Sequence, residues 1–428
     1  MSKAAVSISQ RDPRRRIAVI SMHTSPTAPL GLSANGGLNV YVREICSEFS
    51  ERGIATDVFT RSRSELDRPI EQLTPFSRVI NLPIGRGVDK YALYNEVPAF
   101  ASEVTAFAAE QGIGYDLIYS HYWLSGEVAC IARSRLQAPW AHTAHTLGLV
   151  KNRNLAAGAR PEPPLRIQVE GEVVREADML VVSTPDEGED LVTSYGADSS
   201  KISVVAPGVD LRTFTPIDRQ QALRRIGYEG TRLVLFVGRL ERLKGIEVAL
   251  RAMALLNDRN HGDVRLLVLG EDSRDGDESE KERLKALALQ LGVRDRIDFG
   301  GSVPHNDLPY YYSAAEVCVM PSYSESFGLV GLEAQASGCP VVASNVSGLR
   351  SVVRDEVTGY LIDGDDAATY AERIGRLLAS PELARQMGRR GTLLAQRFSW
   401  SRTADRLEVA FDDLVERSRK REQVGVQD

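Results

Sequence analysis

The sequence predicts an α/β protein with two doubly wound, Rossmann-like parallel-sheet domains facing one another across a cleft. Three observations carry that prediction. Short β-branched runs alternate with longer amphipathic segments over residues 17–206, the alternation breaks at the turn-rich stretch 207–216, and it resumes over 217–398. Uninterrupted apolar strands with helices between them mark parallel sheets covered on both faces. The 428 residues, 43% hydrophobic and 26% charged, suffice for two sizeable cores and exclude a mainly disordered chain.

Taken in order, a polar, basic tail (1–16) precedes a first strand at 17–22, a helical pattern at 38–52 and a strand at 55–60. Further strands are expected near residue 80 and at 116–120, 139–143, 179–183 and 202–205, which completes the first domain at residue 206. The segment 207–216, with its Pro-Gly and Thr-Pro turns, reads as the linker. Strands at 232–238, 265–270, 297–301, 316–321 and 340–344 build the second domain. Residues 270–283 are polar and predict a surface loop entering a helix. The last segment, 399–428, predicts a long charged helix that crosses back to the first domain and ends in a fraying tail.

Charge and cysteine usage narrow the partners. Lys and Arg number 52 against 58 Asp and Glu, a net charge of -6, so no global basic field favours nucleic acid. The four cysteines, Cys46, Cys130, Cys318 and Cys339, match no metal-ligand or disulfide framework, which fits a reducing, cytoplasmic compartment. No uncharged apolar stretch reaches the roughly 18 residues needed to span a bilayer, so no integral membrane contact is expected. The partner expected is a small molecule, bound by a monomer or homodimer.

Three motifs sit where strands meet helices, the place where doubly wound sheets bind ligands. Gly36-Gly37-Leu38-Asn39 opens the first helix, where backbone N–H groups and the positive helix end suit an anion, or else simply form a tight turn. Arg239 and Lys244 flank the loop after the first strand of the second domain, where two cations can clamp a diphosphate. Glu325-Ser326-Phe327-Gly328-Leu329, followed by Glu333, enters an apolar helix. Free N–H groups there face a phosphate, carboxylates accept sugar hydroxyls, and Glu333 is expected two turns in, among buried neighbours.

These residues together resemble the retaining glycosyltransferases of family 4, which have the glycosyltransferase-B fold. Glu325 and Glu333 form its E-x7-E pattern, Arg239 to Lys244 its GR-x4-K loop and Gly36 to Asn39 its GG-x-N turn. The resemblance spans nearly the whole chain with the motifs in order. The acceptor half, through Ser21 to Pro26, His121 to Gly126, His142 to Leu147 and Val150 to Asn152, is similar to the inositol-phosphate N-acetylglucosaminyltransferases of mycothiol synthesis and, next, to sucrose-phosphate synthases.

That resemblance implies the roles. Lys90, Tyr122, Thr146 and Arg166 correspond to the residues that hold the acceptor's phosphate, with Asn39 beside them. Gly36, Gly37, Phe327, Gly328 and Leu329 border the donor, Glu333 takes its ribose and Glu325 lies near its sugar, and His145 lies near the reacting sugar, within reach of its 6-hydroxyl or the acceptor. It implies a nucleotide-sugar donor, UDP-GlcNAc or UDP-glucose, and a phosphorylated polyol or sugar acceptor. The alternative is glucose transfer to fructose 6-phosphate; a lipid acceptor finds no basic amphipathic helix to support it.

No glycosidase-like carboxylate pair is evident, so the departing diphosphate is expected to take the acceptor's proton. Arg239, Lys244 and nearby N–H groups would stabilise its charge. No cofactor and no metal are expected: Asp275-Gly276-Asp277 and Asp363-Gly364-Asp365 read as polar turns. Two other classes fit less well. A periplasmic-type binding protein lacks its signal segment here, and a nicotinamide oxidoreductase lacks the first-strand G-x-G-x-x-G.

Overall fold

The computed structural model describes residues 13–28, 36–86, 91–257, 263–272 and 279–425. Lys90 and the triplet 275–277 lie outside them.

The first sheet has strands β1 (Arg15–Ile20), β2 (Ile54–Arg61), β3 (Ile70–Thr74), β4 (Ser77–Leu82), β5 (Leu117–His121), β6 (Trp140–Thr143), β7 (Met179–Val182) and β8 (Ile202–Val204). Their order is β3-β4-β2-β1-β5-β6-β7-β8, parallel except for the β3–β4 pairing. The second sheet has β9 (Arg232–Val237), β10 (Val264–Leu269), β11 (Ile297–Gly301), β12 (Val317–Met320), β13 (Val341–Ser344) and β14 (Gly359–Ile362), ordered β11-β10-β9-β12-β13-β14 and wholly parallel. Strands such as β9, with Leu233, Val234, Leu235 and Phe236 all buried, pack apolar side chains on both faces, as parallel sheets under helices require.

In each sheet the strand order reverses beside the first strand, between β1 and β5 and between β9 and β12. Connections there leave in opposite directions and open a crevice beyond the carboxyl ends. The motif loops follow β1, β5 and β6 on one side and β9 and β12 on the other.

The final helix, Trp400–Gly425, returns to the first half of the chain. Trp400, Leu407, Phe411 and Leu414 join a core with Ile17, Val19, Tyr41 and Phe49. Two passages of chain run side by side where it crosses. Val209 N–H donates to the Phe398 carbonyl at 2.9 Å, and the Thr403 hydroxyl donates to the Ala206 carbonyl at 2.9 Å. Ion pairs of Arg52 with Asp405 and of Arg419 with Asp116 fasten the helix along its length.

Candidate active site

The loops after β9 and β12 come from adjacent strands. After β9, Arg239 leans on Glu241 at 3.2 Å, and Lys244 ends a single helical turn that reaches across to β12's loop. There its ammonium meets the Glu325 carboxylate at 2.7 Å. Gly328 holds the helix entry at φ +96°, a conformation that L side chains avoid, and a Cβ there would lie 2.7 Å from Leu349. The helix runs Leu329–Ala336, starting three residues later than Ser326, so Glu333 stands one turn in and not two.

Glu333 is buried, and its carboxylate is fixed at both oxygens: His305 Nε2 lies 2.8 Å from one and the Tyr312 hydroxyl donates to the other at 3.0 Å. Burial opposes charge on His305, but the Glu333 carboxylate outweighs it and raises the imidazole's pKa. Phe327 turns its ring inward against Phe398, with centroids 5.9 Å apart, which leaves only its backbone at the loop surface.

In the first half of the chain, Gly36 caps the helix Gly37–Glu51, and the buried Asn39 donates its amide to the Ser25 carbonyl at 2.6 Å. Asn39 thus ties the first-strand loop to the helix start. Tyr122 and His145, at the ends of β5 and β6, both hold positive φ, 76° and 59°. Such strain in non-glycine residues persists only where surrounding structure enforces it, and it clusters at functional sites. The His145 ring bonds His121, Nε2 to Nδ1 at 2.9 Å, and burial drops its pKa to about 3, so it stays neutral.

Arg166 is fully buried. Its Nε donates to Glu170 at 2.6 Å, its Nη2 donates to the Thr146 hydroxyl at 2.9 Å and carbonyl at 3.1 Å, and its plane lies 5.0 Å from the Tyr122 ring. Tyr122, Thr146 and Arg166 are therefore brought together; Lys90 is outside the described residues.

The two sides touch. Ser326 donates its hydroxyl to the His145 carbonyl, Arg242 Nη1 donates to the Ala157 carbonyl at 2.9 Å, and a Cβ on Gly37 would sit 3.1 Å from Leu329. Between them opens a cleft with about 600 Å³ of empty space, lined by Thr146, Lys151, Glu187, Arg239, Lys244 and Glu325 among others. A second cavity beside Glu333 and His305, about 390 Å³, reaches Arg43 and Trp400.

Sequence reasoning passed over Glu162, Glu170, Glu187, His121, His305 and Tyr312. The two carboxylates four residues either side of Arg166 carry a readable signal, the i,i+4 spacing of an ion pair. His305 and Tyr312 lie 28 and 21 residues from Glu333, and only the fold joins them. Asp363 and Asp365 are tied to Asn345 and Tyr323 in an exposed turn. Among the described residues no group of three or more His, Cys, Asp or Glu could hold a metal ion, and no helix is long and apolar enough to cross a membrane.

This arrangement has relatives. Residues 36–208 match the glycosyl transferase 4-like domain, and residues 218–393 match the family described as glycosyl transferases group 1. A D-inositol 3-phosphate glycosyltransferase of Corynebacterium jeikeium is 42% identical over 93% of this chain and 97% of its own. This chain belongs to that glycosyltransferase family. A second such glycosyltransferase, from Geodermatophilus obscurus, is 45% identical over 95% of the chain and 92% of its own length. The solved sucrose-phosphate synthase of Thermosynechococcus elongatus superposes with a TM-score of 0.86 at 34% identity, covering 94% of this glycosyltransferase and 99% of that chain. The fold is accordingly the two-sheet glycosyltransferase-B architecture expected from the motifs.

Proposed function

We propose that this glycosyltransferase moves a hexose or N-acetylhexosamine, with retention, from a UDP-linked donor to a phosphorylated polyol such as inositol phosphate. The observation that carries the reading is the buried Arg166 set against Thr146 and Tyr122 at the acceptor side of the cleft, opposite Arg239 and Lys244. Thr146, which Arg166 holds, and Lys151 line the cleft along with Arg239 and Lys244, and a cleft with cations from both halves of the chain suits a reaction between a diphosphate and a monoester. The relatives' names support the choice, since both name phosphorylated molecules. The second reading, glucose transfer to fructose 6-phosphate, rests on the superposition with sucrose-phosphate synthase.

In this reading the acceptor hydroxyl attacks from the face the diphosphate leaves. The bond from the sugar's anomeric carbon to the phosphate oxygen breaks, the bond to the acceptor oxygen forms, and the acceptor's proton passes to the departing phosphate. Lys244 and Arg239 stabilise the charge that develops there, in a site pre-arranged before reaction. Lys244 does so by sharing its ammonium between Glu325 and the phosphate. Glu333, held by His305 and Tyr312, takes the ribose hydroxyls; neutral His145 faces the sugar. No metal takes part, the enzyme works in the cytoplasm as a monomer or homodimer, and the two halves, 17–206 and 217–398, close on their substrates about the crossing at 207–216.

The test offers UDP-GlcNAc, UDP-glucose, ADP-glucose and GDP-mannose against D-inositol 3-phosphate (1L-inositol 1-phosphate) and fructose 6-phosphate, reading products by mass spectrometry and their anomeric configuration by NMR. An α-linked product on inositol phosphate is expected. A product with inverted configuration, or transfer to neither acceptor, contradicts the proposal.

A further inference from the structure

Beside the cleft, three donors from three separate segments converge on one side chain of this chain. The Glu162 carboxylate receives the Lys151 ammonium on one oxygen. On the other it receives the Tyr91 hydroxyl at 2.6 Å and lies 2.9 Å from Arg166 Nη1. The carboxylate is almost fully buried. Burial works against its charge, but Arg166 and Lys151 hold its pKa down at about 2.

The contact with Arg166 is close without being a good hydrogen bond. Nη1 has no hydrogen-bond partner of proper geometry among the described residues, while Nε and Nη2 are committed to Glu170 and Thr146. Thr146 Oγ1 accepts from Arg166, so its own proton is left to donate, and Thr146 and Lys151 both line the cleft. An ammonium, two hydroxyls and one guanidinium edge are the donors a phosphate monoester requires.

We infer that the Glu162 carboxylate stands in for the acceptor's phosphate, and that the phosphoryl group displaces it from Lys151, Tyr91 and Arg166 Nη1. The inference rests on the reading of a phosphorylated acceptor and adds Lys151 to the residues that bind it.

Charge balance favours exchange over addition. Within this cluster Lys151 and Arg166 carry two positive charges against the two negative charges of Glu162 and Glu170, so a dianion arriving while Glu162 kept its donors would find both cations of the cluster already matched. In the exchange the Glu162 side chain moves on a held backbone. The peptide of Glu162 is pinned on both sides by Asn152, whose Oδ1 accepts from Glu162 N–H at 2.7 Å and whose amide donates to the Glu162 carbonyl at 3.3 Å. Arg166 keeps Glu170 and Thr146 throughout and does not drift.

The test titrates inorganic phosphate into the intact protein by calorimetry, with UDP present to fill the donor side. Wild type is compared with Glu162→Gln, Glu162→Asp and Lys151→Met, and thermal melting shows that each is folded. Removing the internal anion, or shortening it so that it no longer reaches its donors, should tighten phosphate binding by about tenfold or more; removing Lys151 should weaken it by a similar factor. Equal or weaker binding in both Glu162 variants would make Glu162 a fixed support for Arg166 and overturn the inference, as would unchanged binding in Lys151→Met. Transfer rates keep the two readings apart. If wild type prefers D-inositol 3-phosphate to inositol while the variants bind phosphate alike, only this inference falls; if wild type uses both acceptors equally and binds no phosphate, both fall.

Discussion

The Lys244 ammonium lies 2.7 Å from the Glu325 carboxylate, each about one-fifth exposed, and the pair joins the loops after two adjacent strands at the reversal point of the second sheet. An ion pair placed at the mouth of a crevice orders both loops before substrate arrives. In the proposed mechanism it also poises the cation where a leaving phosphate develops charge. Lys244→Ala should therefore lower kcat by about 100-fold or more while leaving the acceptor's KM nearly unchanged. Steady-state kinetics with the acceptor varied at saturating donor check it; unchanged kcat removes Lys244 from the mechanism.

Gly348 sets the height of the same loop. Its N–H donates to the Glu325 carbonyl at 3.1 Å, and a Cβ there would lie 2.3 Å from that carbonyl oxygen and 2.5 Å from Phe327 N. Backbone on both sides leaves nothing flexible to yield. Gly348→Ala should cost about 1–3 kcal/mol of stability and at least about tenfold in kcat/KM for the donor, because Glu325 is displaced with the loop. A melting curve beside initial rates reads both; a fully active, equally stable variant contradicts the packing.

Glu187, in the wall of the cleft, is buried, and burial lifts its carboxyl from 4.5 to about 7 while the Ser183 N–H, 2.7 Å away, pulls the other way. With the folded value above the unfolded one, the unfolded chain ionises first. Stability is whole below about 4.5, falls as pH rises to about 7 and is then lower by roughly 3 kcal/mol. Glu187→Gln keeps an oxygen for Ser183 and removes the titration. Its melting temperature should exceed that of wild type at about pH 8, and the difference should shrink as pH falls through that window. A constant difference would show that Glu187 does not titrate there.

Metal independence is tested directly. Activity after exhaustive EDTA treatment should match that of untreated enzyme, and added Mg²⁺ should not raise it. Loss with EDTA and recovery with Mg²⁺ would contradict the proposed mechanism.

Much of this architecture can be read in the chain, because apolar parallel strands announce themselves. The expected strands at 55–60, 139–143 and 179–183 fall within a residue or two of β2, β6 and β7. The half-exposed edge strand Ile70–Thr74 escapes, since Glu71, Gln72 and Thr74 break any apolar run, and β14, Gly-Tyr-Leu-Ile, opens on a glycine and holds a single β-branched residue, so it shows no β-branched run. Site residues follow the same logic. Lys244 and Glu325 are legible from their loops, yet nothing local tells that they meet. Glu333 reads as buried from its neighbours, but His305 and Tyr312, which make its burial tolerable, arrive from elsewhere in the fold. Arg166 looks like a surface residue at a helix start until Glu162, Glu170 and Thr146 are seen to enclose it.

The central claim is recognition of a phosphorylated acceptor opposite a nucleotide sugar. The most direct measurement is the ratio of kcat/KM for D-inositol 3-phosphate to that for free inositol, in wild type and in Thr146→Val, with UDP-GlcNAc as donor. A ratio of about 100 or more in wild type, cut at least about tenfold in the variant, is predicted from loss of one donor to a dianion. A ratio near one in wild type would contradict the account.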